Sequence, residues 1–295
     1  MALDIKELMA KVGKIRILTN RLIDDRLSGD YHSTFKGQGV EFDEVRPYAA
    51  GDDVRAIDWN VTARTGVTFI KRYAEERELT VLFMVDVSGS QNYGRGLRTK
   101  AELAAEVTAL LALTALRNQD KVGLLLYSDR IVKYIPPRKG RNSVMRLARE
   151  VLAASDDASG GTNLALALEY LNGVQKRQAV VFLVSDFFGF DDCERQLRAT
   201  AHHHDLVCVR VYDPAESQLP DAGLVELEDP ETGELVLVDT SSASVRRQFA
   251  QAAQAETEAF GRFLAKSGID RLELSTESAY IDEIRALFKR RAKKR

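Results

Sequence analysis

Five side chains of this sequence carry oxygen atoms suited to binding a metal ion, and they stand in three short polar stretches. Two of the stretches directly follow long apolar runs, and the third follows a pair of glycines. The five residues are Asp86, Ser88, Ser90, Thr162 and Asp186. Carboxylate and hydroxyl oxygens are hard ligands that suit a hard cation such as Mg²⁺. We therefore predict that they form one metal site, for Mg²⁺ or alternatively for Mn²⁺ or Ca²⁺.

The elements that must position these side chains are buried strands. The apolar run from Leu79 to Val85 is typical of a strand covered on both faces, as in parallel sheets. The run from Ala179 to Ser185 has the same character. Because parallel strands of one sheet end at a common crevice, Asp86 and Asp186 should meet there. A structural alternative is that the Asp and Ser residues only start turns and cap helices.

Strands and helices alternate along the chain from residue 79, which predicts an α/β fold with a doubly wound, mainly parallel sheet. The predicted helices are Thr99 to Leu116, with Thr99 and Glu102 at capping-box spacing, then Ser143 to Ala154, Leu164 to Val174, Cys193 to His203 and Ser244 to Ala265. The predicted strands are Lys121 to Tyr127, Ile131 to Ile135 stopped by Pro136 and Pro137, Leu206 to Tyr212, a hairpin of Leu224 to Leu227 with Leu235 to Val238, and Arg271 to Leu274.

Residues 1–78 are predicted to form a separate N-terminal segment, helical and partly β, ahead of the α/β domain of residues 79–295. The stretch Ile5 to Asp25 has apolar residues at helical spacing. Short β-prone pieces separated by glycines follow it. We interpret Trp59 as a buried structural anchor, with Arg55 paired to a nearby Asp.

Composition restricts the class of protein. The 295 residues carry a net charge of −2 with a pI near 6.2, so the chain has no overall attraction for nucleic acid or anionic membrane. The charged N-terminus does not resemble a signal sequence, and no apolar stretch is long enough to span a bilayer. The two cysteines, Cys193 and Cys208, have neither metal-like nor redox-like spacing and are expected to be core thiols. These features predict a cytoplasmic protein.

The three polar stretches together resemble a known constellation. Asp-x-Ser-x-Ser at Asp86, then Gly-Gly-Thr at Thr162, then an Asp at the end of a strand is similar to the metal-ion-dependent adhesion site of von Willebrand factor A domains. The resemblance implies that the hydroxyls bind Mg²⁺ directly, while the carboxylates act mostly through water. It also implies that the ion accepts an Asp or Glu of a partner protein.

The region from Phe35 to Trp59 resembles the signature of the bacterial DUF58 family. It contains Phe-Lys-Gly-Gln-Gly-Val-Glu-Phe, Val-Arg-Pro-Tyr and Gly-Asp-Asp-Val-Arg-Ala-Ile-Asp-Trp. This resemblance implies association with a MoxR-type AAA+ ATPase in a chaperone-like role. The chain is thus expected to be a non-enzymatic, Mg²⁺-dependent adaptor.

Two other functions stay open from the sequence. A Mg²⁺-dependent phosphoryl-transfer enzyme also places an Asp after its first strand, but hydroxyl-rich ligation fits capture of a ligand better. The other alternative is a metal-independent scaffold that acts through residues 31–78. Serine hydrolase chemistry is disfavoured because Asp86 replaces the first glycine of a Gly-x-Ser-x-Gly elbow.

Two further charged clusters are interpreted as structural. The run His202 to His204 is expected to be a surface feature rather than a metal site, because three consecutive helical residues point in different directions. The basic run Lys289 to Arg295 is expected to be a frayed tail.

Overall fold

The computed structural model describes residues 13–14, 25–35, 39–76, 78–94, 98–156, 161–228 and 235–294. The chain divides into two compact units, one of residues 35–79 and a larger one that contains residues 80–295 and the helix Asp25–Thr34. The prediction had grouped that helix with the rest of residues 1–78. The helices predicted over Ile5 to Asp25 fall almost wholly outside the described residues.

The helices and strands of the described ranges are numbered in chain order. The strands are β1 (Gly39–Pro47), β2 (Phe69–Glu76), β3 (Thr80–Asp86), β4 (Lys121–Tyr127), β5 (Ile131–Arg138), β6 (Val180–Ser185), β7 (Asp205–Tyr212), β8 (Leu224–Glu228), β9 (Leu235–Asp239) and β10 (Asp270–Ser275). The helices are α1 (Asp25–Thr34), α2 (Trp59–Thr65), α3 (Lys100–Arg117), α4 (Arg141–Asp156), α5 (Leu164–Val174), α6 (Glu194–His203), α7 (Ala243–Ser267) and α8 (Ile281–Lys294).

The larger unit is built on a six-stranded sheet with the order β10-β7-β6-β3-β4-β5. All neighbours in this sheet are parallel except β4 and β5, which are antiparallel. The central strands are buried, and Phe83 of β3 stacks on its register partner Phe182 of β6 with ring centroids 5.4 Å apart. The predicted doubly wound, mainly parallel α/β fold is confirmed.

Helix α3 begins where the sequence predicted. Thr99 and Glu102 form a capping box in which each side chain accepts a hydrogen bond from the other residue's backbone N–H. Most of the side chains of α3 are buried. This helix contacts both β3 and the loop that follows β3.

Strand β5 continues through Pro136 and Pro137, so the prediction that the prolines stop it was wrong. β5 is one of the two edge strands of this sheet, and proline is tolerated there because one side of an edge strand needs no ladder donors. The hydrophobic pattern alone does not reveal which strand lies at the edge.

Gly123 of β4 lies against the backbone of β5. A Cβ at this position would stand 2.9 Å from Ile135 O and 2.9 Å from Pro137 N. We expect Gly123→Ala to lower the free energy of unfolding by about 2 kcal/mol, because backbone atoms cannot move aside cheaply. Urea denaturation measures this.

Gly173 in α5 is the matched control for Gly123, because a Cβ there meets nothing within 4 Å. Gly173→Ala should stabilise the protein by about 0.5–1 kcal/mol through helix propensity. Equal effects of the two substitutions would contradict the close approach at Gly123.

The C-terminal basic run is part of helix α8, so the prediction of a frayed tail was wrong for the residues described, which end at Lys294. Arg291 is buried, with 4% of its surface exposed. Its guanidinium lies 2.5 Å from Asp205 Oδ2 and 3.0 Å from Asp270 Oδ2. Since these aspartates are the first residues of β7 and β10, Arg291 connects α8 to two strands through ion pairs.

Helix α1 packs on α8 in the larger unit. The ring of Tyr31 meets Phe288 edge to face at 5.8 Å, and Thr34 Oγ1 donates to Phe288 O at 2.9 Å. Tyr31 also donates its hydroxyl hydrogen to Asp120 at 2.9 Å. These contacts explain why α1 belongs to the larger unit although it lies far ahead of it in sequence.

The smaller unit contains the antiparallel pair β1–β2 and helix α2. Trp59 is 69% exposed, so its interpretation as a buried anchor was wrong. The nearby aspartates serve local roles: Asp52 pairs with Arg46 at 2.7 Å, and Asp58 caps α2 through the N–H of Asn60 at 3.0 Å. The tryptophan is left on the surface.

The cysteine prediction is confirmed, because Cys193 and Cys208 are free and buried. The histidine run is only partly on the surface. His202 and His203 are exposed, whereas His204 is 2% exposed, and its burial lowers its pKa to about 4. None of the described helices is both long and apolar enough to cross a membrane.

Candidate metal centre

Two of the three predicted stretches meet at the carboxyl edge of the parallel strands. Asp86 is the last residue of β3, and Asp186 follows the last residue of β6. The strands are neighbours in parallel register, with Val85 opposite Val184. This register brings the two carboxylates to the same edge.

A hydrogen-bond network connects four of the predicted residues. The N–H of Ser88 donates to Asp86 Oδ1 at 2.9 Å, and the hydroxyls of Ser88 and Ser90 lie 3.1 Å apart. Ser90 Oγ donates to Asp186 Oδ2 at 2.9 Å. All four side chains are at most 6% exposed. The sequence prediction that separate loops bring these oxygens together holds for this part of the site.

Thr162, the fifth predicted residue, is half-buried in the loop that precedes α5. The N–H of its neighbour Asn163 donates to Ser128 O at 2.8 Å, and Ser128 directly follows the last residue of β4. Since β4 pairs with β3, this loop is attached to the same edge of the sheet. Gly160 of the predicted turn lies outside the described residues.

Ser185 orients Asp86. Its hydroxyl donates to Asp86 Oδ2 at 2.8 Å and accepts the N–H of Phe187 at 3.1 Å. Phe187 has a left-handed backbone, with φ of 62°, which is uncommon for a residue with a side chain. Ser185 thus holds Oδ2 of Asp86 in a fixed position, and the N–H of Ser88 holds Oδ1.

The two carboxylates create an excess of negative charge in a buried place. Burial, and then the charge of Asp186, raise the pKa of Asp86 to about 7, although hydrogen bonds from Ser88 and Ser185 oppose the rise. A divalent cation at this edge would relieve that repulsion. The electrostatics therefore fit a metal site.

Sequence reasoning missed two side chains that contact Asp186, and a third that contacts one of them. Lys100 Nζ lies 2.8 Å from Asp186 Oδ2 and 2.5 Å from Glu216 Oε1, and it is fully buried. Gln91 Nε2 also donates to Asp186 Oδ2, at 3.1 Å. Lys100 looks like an ordinary first residue of a helix, and nothing near Glu216 in sequence indicates that it reaches this site.

The donor set fits Mg²⁺ if hydroxyls provide the main ligands. No group of three or more His, Cys, Asp or Glu side chains suited to a metal occurs among the described residues. The edge instead offers the hydroxyls of Ser88 and Ser90 between two carboxylates. Gln91 Oε1 is a further buried oxygen here, with no hydrogen-bond partner among the described residues. The carboxylate and hydroxyl oxygens at this edge suit a hard cation, although the ammonium group of Lys100 is also bound to Asp186.

The sequence matches the family described as "Protein of unknown function DUF58" over residues 44–259. The chain belongs to the DUF58 family. An uncharacterized protein of Mycobacterium tuberculosis strain H37Rv is 31% identical over 284 residues, which are 96% of this chain and 89% of the relative. The likeness to this relative therefore extends over both units of the structure.

Solved structures with a similar arrangement have low sequence identity. BatB from Bacteroides thetaiotaomicron, a conserved hypothetical protein, is 16% identical with a TM-score of 0.49, over 73% of this chain and 99% of that one. The SpRpn10 VWA domain is 10% identical with a TM-score of 0.36, over 70% of this chain and 93% of that one.

Proposed function

We propose that this DUF58 protein is a non-enzymatic protein-interaction module whose larger unit binds Mg²⁺ and captures an acidic side chain of a partner. The observation that supports it most directly is the buried network of Asp86, Ser88, Ser90 and Asp186. In this network two hydroxyls lie between two carboxylates at the edge where parallel sheets bind ligands.

The residues of this chain have separate roles in the proposed site. Ser88 and Ser90, with Thr162 from the neighbouring loop, would hold the ion through their hydroxyls. Asp86 and Asp186 would act mainly through water, so that few negative charges touch the metal directly. When bound, Mg²⁺ supplies an electrophilic position that accepts a carboxylate of the partner.

The partner we propose is a MoxR-type AAA+ ATPase, or a client protein that it acts on, in the cytoplasm. This part of the proposal rests on the family to which the chain belongs. The contact would be made through an Asp or Glu of the partner. The net charge of −2 offers no general attraction for nucleic acid, so we propose no such partner.

Phosphoryl transfer is supported less well. Lys100 does supply a cation beside Asp186, as phosphate-binding sites require. However, its ammonium group is fully buried between Asp186 and Glu216, where it is already paired. A phosphate would have to displace one of these carboxylates.

A metal-independent scaffold acting through residues 31–78 has one observation in its favour. The smaller unit exposes Trp59, Val54 and Val67, with 69%, 61% and 54% of their surfaces accessible. Large exposed apolar side chains occur at interfaces. The scaffold function predicts that Trp59→Ala weakens partner binding while removal of metal does not.

Co-purification tests these alternatives. The tagged full chain is incubated with a MoxR-type ATPase from the same organism in Mg²⁺ or in EDTA, and retained protein is quantified. We expect retention in Mg²⁺ and its loss in EDTA, restored by added Mg²⁺. Equal retention in EDTA would contradict the capture mechanism, and phosphate release by the chain alone would support the enzyme.

The raised pKa of Asp86 predicts that Mg²⁺ affinity depends on pH. Since this pKa is about 7 in the metal-free protein, a proton must leave when Mg²⁺ binds at lower pH. Mg²⁺ affinity should therefore rise about tenfold from pH 6 to pH 8. Calorimetric titrations in buffers of different ionisation enthalpy measure both affinity and proton release. A constant affinity over this range would contradict the assignment of Asp86.

A further inference from the structure

Lys100 is a fully buried lysine that joins two carboxylates from different loops. It is the first residue of α3, and its ammonium group contacts Asp186 Oδ2 at 2.8 Å and Glu216 Oε1 at 2.5 Å. The ring of Phe188 lies 5.6 Å from Nζ. A buried ammonium group without partners would be very unfavourable. The position of Lys100 therefore depends on both acids.

The same oxygen of Asp186 takes part in the candidate metal site. Asp186 Oδ2 accepts hydrogen bonds from Lys100, from Ser90 Oγ and from Gln91 Nε2. A divalent cation held near Ser90 would share this carboxylate with the ammonium group. Two cations that share one buried carboxylate repel each other, because burial reduces the screening of their charges by solvent.

We propose that Lys100 is a resident counter-cation that sets the affinity of the site for divalent ions. It holds Asp186 in place when no metal is bound, and its charge weakens the binding of the incoming ion. Glu216 acts in the opposite direction, because it draws the ammonium charge toward itself and away from Asp186. This inference rests on the proposed Mg²⁺ function and specifies how that site is regulated.

Glu216 is positioned beside Lys100 by the short helix in which it lies. Glu216 lies in a short 3₁₀ helix, Pro214–Glu216, directly after β7, and Asp213 caps this helix through the N–H of Ala215 at 2.9 Å. Asp213 in turn accepts the hydroxyl hydrogen of Thr276 at 2.7 Å. The carboxylate of Glu216 is itself held in this helix, because its Oε2 accepts the N–H of Asp213 at 3.1 Å while its Oε1 contacts Lys100.

The test measures Mg²⁺ binding by calorimetry in the full chain and in two variants. Lys100→Met should bind Mg²⁺ about tenfold more tightly than the parent, because the repelling charge is gone. Glu216→Gln should bind about tenfold more weakly, because the full ammonium charge then falls on Asp186. If Lys100 and Glu216 only maintained the local structure around Asp186, both variants would bind Mg²⁺ more weakly than the parent.

The outcomes separate the two proposals. If the parent and both variants fail to bind Mg²⁺, the proposed function fails. If the parent binds but Lys100→Met binds equally or more weakly, or Glu216→Gln binds as tightly as the parent, the role of Lys100 is overturned. Should Lys100→Met not fold, Lys100→Gln and Glu216→Gln still give the two opposite shifts that the proposal requires.

Discussion

Ser88→Ala is expected to weaken Mg²⁺ binding by about a hundredfold, because it removes one of the hydroxyl oxygens proposed to bind the ion. The same substitution should abolish Mg²⁺-dependent retention of the partner. Titration calorimetry with Mg²⁺ and quantitative co-purification measure the two losses.

The fold should survive this substitution. The hydroxyl of Ser88 contacts that of Ser90 at 3.1 Å, and the hydrogen bond from Ser88 to Asp86 uses the backbone N–H, which alanine keeps. The free energy of unfolding should fall by only about 1 kcal/mol, as for one ordinary hydrogen bond. A large loss of stability would make the binding result uninformative about the metal.

Ser128→Ala is the matched control for Ser88→Ala. Ser128 is also a buried serine at the carboxyl edge of the sheet, but its hydroxyl donates to Asp129 at 2.9 Å. The Ser128→Ala variant should bind Mg²⁺ and retain the partner as well as the parent does. If both variants lose Mg²⁺ binding to the same degree, the assignment of Ser88 as a ligand is wrong.

Arg291→Met is expected to lower the free energy of unfolding by about 3 kcal/mol. The substitution removes the cation shared by Asp205 and Asp270, while methionine keeps most of the apolar length of the side chain. Two partly buried carboxylates at the starts of β7 and β10 would lose their ion pair. Urea denaturation with an unchanged slope measures the loss.

Lys293→Met is the control, since Lys293 is an exposed residue on the same helix turn. We expect a change within about 0.5 kcal/mol, as for most surface substitutions. A second test adds Asp205→Asn to Arg291→Met, which should recover part of the stability. Failure of Arg291→Met to destabilise the protein would mean that the C-terminal helix does not depend on this ion pair.

Features encoded by local patterns were predictable from the sequence. The alternation of apolar runs with helical segments predicted the parallel sheet, since burial on both faces requires continuous apolar strands. The capping box at Thr99 predicted the start of α3, because its two hydrogen bonds join residues three apart. The polar ends of β3 and β6 were recognisable because carboxylates and hydroxyls directly follow apolar runs.

Features set by position in the sheet were not predictable from local patterns. Pro136 and Pro137 stand inside β5 because that strand is at the edge, and strand order is a property of the whole sheet. Trp59 is exposed although large aromatic residues are usually buried. In both cases the local sequence is compatible with either outcome.

The sequence alone determined that Asp86, Ser88, Ser90 and Asp186 place carboxylates and hydroxyls at strand ends, because residue type and strand-end position are both local. Only the tertiary structure showed that Lys100 and the hydroxyl of Ser90 bind the same oxygen of Asp186, and that Arg291 binds two strands. Lys100 is 86 residues from Asp186 and 116 from Glu216, and Arg291 is 86 residues from Asp205. Ion pairs across such separations leave no spacing pattern, because chain folding, not local geometry, brings their partners together.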